Sequence, residues 1–164
     1  MTTEMTVAER IAELGIVIPA TTAPVANYVS TRRSGNLLFV SGHLGKRDGA
    51  VGTGTVGDDV DTQTAYELAR LAALDILGTI QAALGSLDDV ALVKITGFVH
   101  SAPAFTEQSA VINGASDLFV QVLGAERGAH ARSAIGVAQL PLGAAVELEA
   151  IVEISSAGAG KPVG

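Results

Sequence analysis

The residues best able to do chemistry lie near the end of the chain, on two segments that read as strands, His130 to Ala138 and Ala145 to Ile154. Alternation along the first puts His130, Arg132, Ala134 and Gly136 on one face, so a single arginine stands among small neighbours. A guanidinium is permanently charged and forms two parallel hydrogen bonds to a carboxylate. Arg132 can therefore hold a carboxylate-bearing ligand, and it can equally pair with an acidic neighbour at a subunit interface. On the second strand Glu147, Glu149, Ile151 and Glu153 share a face. One of these carboxylates could orient water or move a proton, or all three could form a solvated outer face. Were the two strands paired with Gly136 opposite Glu147, Arg132 would still lie about 13 Å further along, at ~3.3 Å per residue. Strand pairing alone does not join the two groups.

Other reactive classes lack their residues. His43, His100 and His130 do not have the short helical or paired spacing of a metal site, and there is no cysteine to support them, so no metal is expected. The glycines from Gly52 to Gly57 are not followed by the Gly-Lys-Ser/Thr of a phosphate loop, and no serine sits in a nucleophile elbow. No cofactor is called for.

The elements that must position these residues follow from local signals. Thr6 and Glu9 have the spacing of a capping box, and Gly15 is a natural stop, which predicts a short leading helix. A loop spans Pro19 to Pro24. Asn27 to Arg32 and Leu37 to Ser41 read as a hairpin about Ser34-Gly35-Asn36. Gly42 to Gly57 reads as a mobile glycine-rich loop with a small edge strand near Ala50-Val51, bordering the site. Asp61 to Leu84 is helical, with Leu68, Ala72, Ile76, Ile80 and Leu84 recurring every four residues, Thr64 and Glu67 as a second capping box, and Gly85 as the stop. Val90 to Val99 reads as a buried strand. Glu107 to Leu123 reads as a second helix packing through Val111, Ala115, Leu118, Phe119 and Val122 and ended by Gly124. The order is ββ(β)αβαββ. The tail from Ser155 to Gly164 has the composition of a frayed end.

At 164 residues, with no composition break, the chain is expected to be one domain. Its hydrophobic fraction is 48% and its mean hydropathy +0.42, yet only 4% of residues are aromatic and no apolar run is long enough for a bilayer. A core of Ala, Val, Leu and Ile in tight layers fits this, with part of the apolar surplus covered by another subunit. A net charge of −7 and a pI near 4.8 disfavour nucleic acid as a partner, because that attraction scales with Lys and Arg contacts. The start MTTEMTVAERIAEL lacks the basic and apolar regions of a signal peptide, so a cytoplasmic enzyme or binding protein is expected.

The stretch Arg132-Ser-Ala-Ile-Gly-Val-Ala-Gln-Leu140-Pro141, followed by Val146-Glu147-Leu-Glu-Ala150, resembles the C-terminal signature of the RidA/YjgF family of reactive-intermediate deaminases. The resemblance continues through Tyr28, Asn36-Leu-Leu-Phe-Val-Ser-Gly42, Val93-Lys-Ile-Thr-Gly-Phe-Val99 and Asn113, covering about residues 24 to 154. It implies an α/β (α+β) chorismate-mutase-like fold, a mixed β-sheet backed by two helices, to which this chain adds its short N-terminal helix. It also implies a homotrimer with clefts between subunits, and hydrolysis of 2-enamino and 2-imino acids to 2-oxo acids and ammonia without a cofactor. By that resemblance Arg132 clamps the substrate carboxylate and Glu147 positions water, while Tyr28, Gly42, His43, Asn113 and Ala134 shape the cleft. His43 replaces the family's common Gln after Ser-Gly, Ala134 replaces a frequent Cys, and Phe105 to Asn113 is a few residues longer. These departures bear on side-chain preference and resemble a branch labelled L-PSP endoribonuclease. Ribonuclease activity and non-catalytic binding of small carboxylates are the alternatives.

Overall fold

The computed structural model describes residues 4–21 and 27–155. The expected loop at Pro19 to Pro24 lies only partly within these residues, and of the expected tail only Ser155 does.

Helix α1, Val7–Glu13, starts where local chemistry predicts: Glu9 N donates to Thr6 Oγ1 at 3.2 Å, and Thr6 N donates to Glu9 Oε2 at 2.8 Å. Strands β1, Thr31–Ser34, and β2, Leu37–Leu44, form the hairpin about Gly35-Asn36. The first strand begins later than Asn27, because residues 27–30 bend, and Ser30 O accepts from Ser41 N. The glycine-rich stretch is largely a built element. Strands β3, Lys46–Arg47, and β4, Ala50–Val51, make a separate two-stranded ribbon, with Gly45 and Gly52 packed closely on Leu68.

Helix α2 spans Thr62–Leu84, and Gly85 ends it in the left-handed conformation at φ +83°. Its cap is Asp61, whose Oδ1 accepts from Thr64 N at 2.6 Å, so the expected box of Thr64 and Glu67 does not form. The helix already runs at Thr64, whose amide is one of the donors Asp61 satisfies. Strand β5, Val90–His100, helix α3, Gln108–Leu123, strand β6, Ala131–Val137, a 3-10 turn at Pro141–Gly143 and strand β7, Val146–Ile154, complete the order.

The main sheet has the order β1-β2-β7-β5-β6. The last two strands are therefore not neighbours, unlike the pairing considered from sequence. Helix α3 carries the chain back parallel beside β5, and β7 takes the other side of β5, antiparallel to it and to β2. Both long helices cover one face of this mixed sheet, burying Val146, Leu148, Ala150, Val152 and Ile154 of β7 beneath them. Their own crossing is close, since a methyl group on Gly114 of α3 would overlap the Tyr66 carbonyl of α2. Tyr66 Oη also donates to Asp117 Oδ2 at 2.8 Å across the same pair. Among the described residues no helix lies over the opposite face, and Phe39 and Ile135 there are each 42% exposed.

Candidate functional site

Arg132 lies on the edge strand β6, in register with buried Ile95 of β5, so its side chain rises on the helical face. There it meets α3. Its Nη1 donates to Asn113 Oδ1 at 2.8 Å and to Ser116 Oγ at 3.2 Å, and Nη2 makes a long bond to Ser109 O at 3.4 Å. Three acceptors one turn apart along α3 thus fix the guanidinium plane. All are neutral, so none of these hydrogen-bond partners cancels the charge.

Behind Ser116 stands His130. Its Nδ1 is 2.6 Å from Gly128 O, which can only accept, so Nδ1 carries the proton and Nε2 accepts from Ser116 Oγ at 2.9 Å. The ring also packs edge-on to Phe119, with centroids 6.4 Å apart. Ser116 is thereby oriented with a lone pair toward Arg132. Alternation placed His130 on the Arg132 face, but Ser116 was missed, because a serine mid-helix carries no sequence signal until the facing strand is known. Ala134, two residues beyond Arg132 on the same face, is partly buried against the core.

Glu147 is elsewhere. It pairs in register with Phe98 of β5 and Leu44 of β2 and points to the open face. Burial there pushes its carboxyl above the usual carboxylate range, and the neighbouring Glu149 adds to the shift. Gly42, in the irregular stretch of β2 between Val40 and His43, lies directly against it, and any side chain at that position would overlap Glu147 Oε1. The structure therefore joins Gly42 with Glu147, and Asn113 with Arg132, but does not join the two pairs within one chain. Along β5 they are three residues apart in register and on opposite sides, roughly 10 Å along and 10 Å across the sheet.

Tyr28 sits in the bend before β1, at the sheet edge far from β6, and is 49% exposed. His43 faces the helical side, where Nδ1 is 2.7 Å from Ser41 O and Nε2 is 2.8 Å from Thr79 Oγ1 of α2. Desolvation holds its imidazole below the ordinary range, outweighing the nearby Ser41 carbonyl and Asp75. Within one chain three strand spacings separate it from Ala134. Lys46, Asp75 and Thr79 join it around a separate cavity that single-sequence spacing did not reveal.

The family model described as Endoribonuclease L-PSP matches residues 19–154, which takes in both pairs and nearly the whole fold. This chain belongs to that family. The RidA/YjgF resemblance is supported within the L-PSP family by a 2-iminobutanoate/2-iminopropanoate deaminase of Dermatophagoides farinae, 28% identical over 85% of this chain and 94% of the relative. Protein TCP17 of Trypanosoma cruzi is 51% identical, over 92% of this chain and 95% of its own length. The crystal structure of Atu1372 from Agrobacterium tumefaciens superposes with a TM-score of 0.83 at 49% identity, covering 91% of this chain and 92% of that one. Among the described residues no helix is long and apolar enough to cross a membrane.

Proposed function

We propose that this L-PSP family protein hydrolyses 2-imino acids to 2-oxo acids and ammonia, in clefts shared between the subunits of a homotrimer. The observation that carries this reading is Arg132, a guanidinium held in plane at a sheet edge by Asn113, Ser116 and Ser109, with no carboxylate among those partners. Such a group is preorganised to receive the substrate carboxylate. The relationship to an imine deaminase supplies the reaction class. Water adds to the imine carbon, a proton passes to nitrogen, and the carbon–nitrogen bond breaks to leave the 2-oxo acid and ammonia. Glu147, a half-buried carboxylate with a raised pKa, suits positioning that water and relaying its proton. On this reading a neighbouring subunit brings a Glu147, a Gly42 and a Tyr28 to each Arg132, and the separation of Arg132 from Glu147 within one chain supports it. The exposed Phe39 and Ile135 on the helix-free face suit burial between subunits.

The test generates 2-aminoacrylate or a longer imino acid in situ and follows 2-oxo acid formation. Arg132→Lys keeps the charge but loses the planar fork, and turnover should fall by about a hundredfold or more. Glu147→Gln should lower kcat with little loss of 2-oxo acid binding. Wild-type protein that binds 2-oxo acids through Arg132 yet never accelerates imine hydrolysis would overturn the enzymatic reading in favour of a binding module. RNA cleavage lost specifically in Arg132→Ala would favour the ribonuclease reading.

A further inference from the structure

A cavity of about 390 Å³ lies on the helical side near the end of β2, walled by His43, by Lys46 and Asp48 at the β3–β4 ribbon, by Leu71, Leu74, Asp75 and Thr79 of α2, and by Pro19 and its neighbours before β1. Two features define what it can hold. Lys46 and Asp75 bring opposite charges to one space, within reach of each other's field yet not joined in an ion pair among the described residues. Asp75 is half-buried, so burial pushes its carboxyl up, and the charge of Lys46 offsets this in part. Beside them Leu71, Leu74 and Pro19 give an apolar wall.

His43 adds no charge. Both its nitrogens are committed, Nδ1 donating to Ser41 O and Nε2 accepting from Thr79 Oγ1, which makes the floor neutral and fixed. The lining holds one Lys against Asp48 and Asp75, which excludes a polyanion, and among the described residues no three His, Asp or Glu groups converge as a metal would need. A simple amine would leave Lys46 unanswered, and a simple carboxylate would leave Asp75 so.

We infer that this cavity is a second small-molecule site, taking an α-amino acid with a small apolar side chain as its zwitterion: carboxylate on Lys46, ammonium on Asp75, side chain against Leu71 and Leu74. It is independent of the imine-hydrolysis reading, because the cavity lies on the helical side, whereas Gly42 and Glu147 lie on the opposite face, and Arg132 of the same chain is three strand spacings, about 14 Å, away.

Calorimetric titration of the full chain with L-valine tests this, alongside isobutylamine and 3-methylbutanoate, which lack one charge each. Valine should bind, and each analogue should bind at least about tenfold more weakly, the worth of a charge-assisted hydrogen bond. Lys46→Met and Asp75→Asn should each cost about the same factor, with Arg132→Ala leaving binding unchanged. Leu71→Trp, which fills the space from a partly exposed position, should abolish binding while the circular dichroism spectrum persists; this keeps the test decisive if Asp75→Asn unfolds. Three outcomes would overturn the site: no valine binding at about 20 mM, well above ordinary ligand affinities; binding lost in Arg132→Ala but kept in Lys46→Met; or isobutylamine binding as tightly as valine.

Discussion

Arg132 and Glu147 stand on opposite faces of one sheet, with β5 between their strands. If each working cleft takes Arg132 from one subunit and Glu147 from another, two inactive variants should complement. Co-expressed in equal amounts, Arg132→Ala and Glu147→Ala chains that mix at random should recover about one quarter of wild-type turnover, since each site needs an intact residue from both contributors. Imine hydrolysis by the purified mixed oligomer checks this. No recovery despite demonstrated subunit mixing would place both groups in one chain's site.

Asn113 Oδ1 is the shortest partner of Arg132, at 2.8 Å. Asn113→Ala frees Nη1 to rotate without altering its charge. The expected result is a KM raised by about tenfold, as one hydrogen bond that orients the clamp is lost. Steady-state kinetics on an in situ imine measure it, and a variant with unchanged KM would remove Asn113 from the clamp.

His43 is held below the usual imidazole range, chiefly by desolvation. Unfolding releases it to titrate normally, so below pH about 6.5 the unfolded chain binds a proton that the folded chain resists. Stability from this group is therefore level above that pH and falls as pH drops toward the folded pKa. His43→Gln removes the titration, and urea denaturation between about pH 7 and pH 5 should show a shallower loss than wild type. Parallel curves would contradict the buried, neutral imidazole.

Gly114→Ala should destabilise the fold by about 1–3 kcal/mol, because the added methyl meets the backbone carbonyl of Tyr66 rather than a movable side chain. The midpoint of urea unfolding reads this directly. A rise in stability, as expected for alanine in an uncrowded helix, would contradict the close crossing of α2 and α3.

What could be read from the sequence alone was what local chemistry decides. The Thr6–Glu9 box and the four-residue recurrence from Leu68 to Leu84 each specify a helix without help from distant residues. The cap of α2 was misplaced because Asp61, Thr64 and Glu67 all carry capping side chains, and only the backbone shows which amide is free. Alternation set Arg132 and Ala134 together and Glu147 on the outer face, yet whether two faces coincide depends on which strand lies between, a long-range choice that spacing does not encode. Its place after Ser41-Gly42 sets His43 next to Gly42 in sequence, which says nothing of the face it takes. The irregular pairing of β2 there turns it under α2 instead, where Thr79 receives it.

The place of β7 also has a consequence for how the protein is made. Leu37 pairs with Glu153, and Leu38 with Val152, so the hairpin near the start of the chain waits for the last described strand to leave the ribosome. β5 likewise lacks one of its two neighbours until then. The sheet's middle therefore cannot close before β7 is made, and a nascent chain halted before Val146 displays apolar, unpaired strand edges to whatever is nearby.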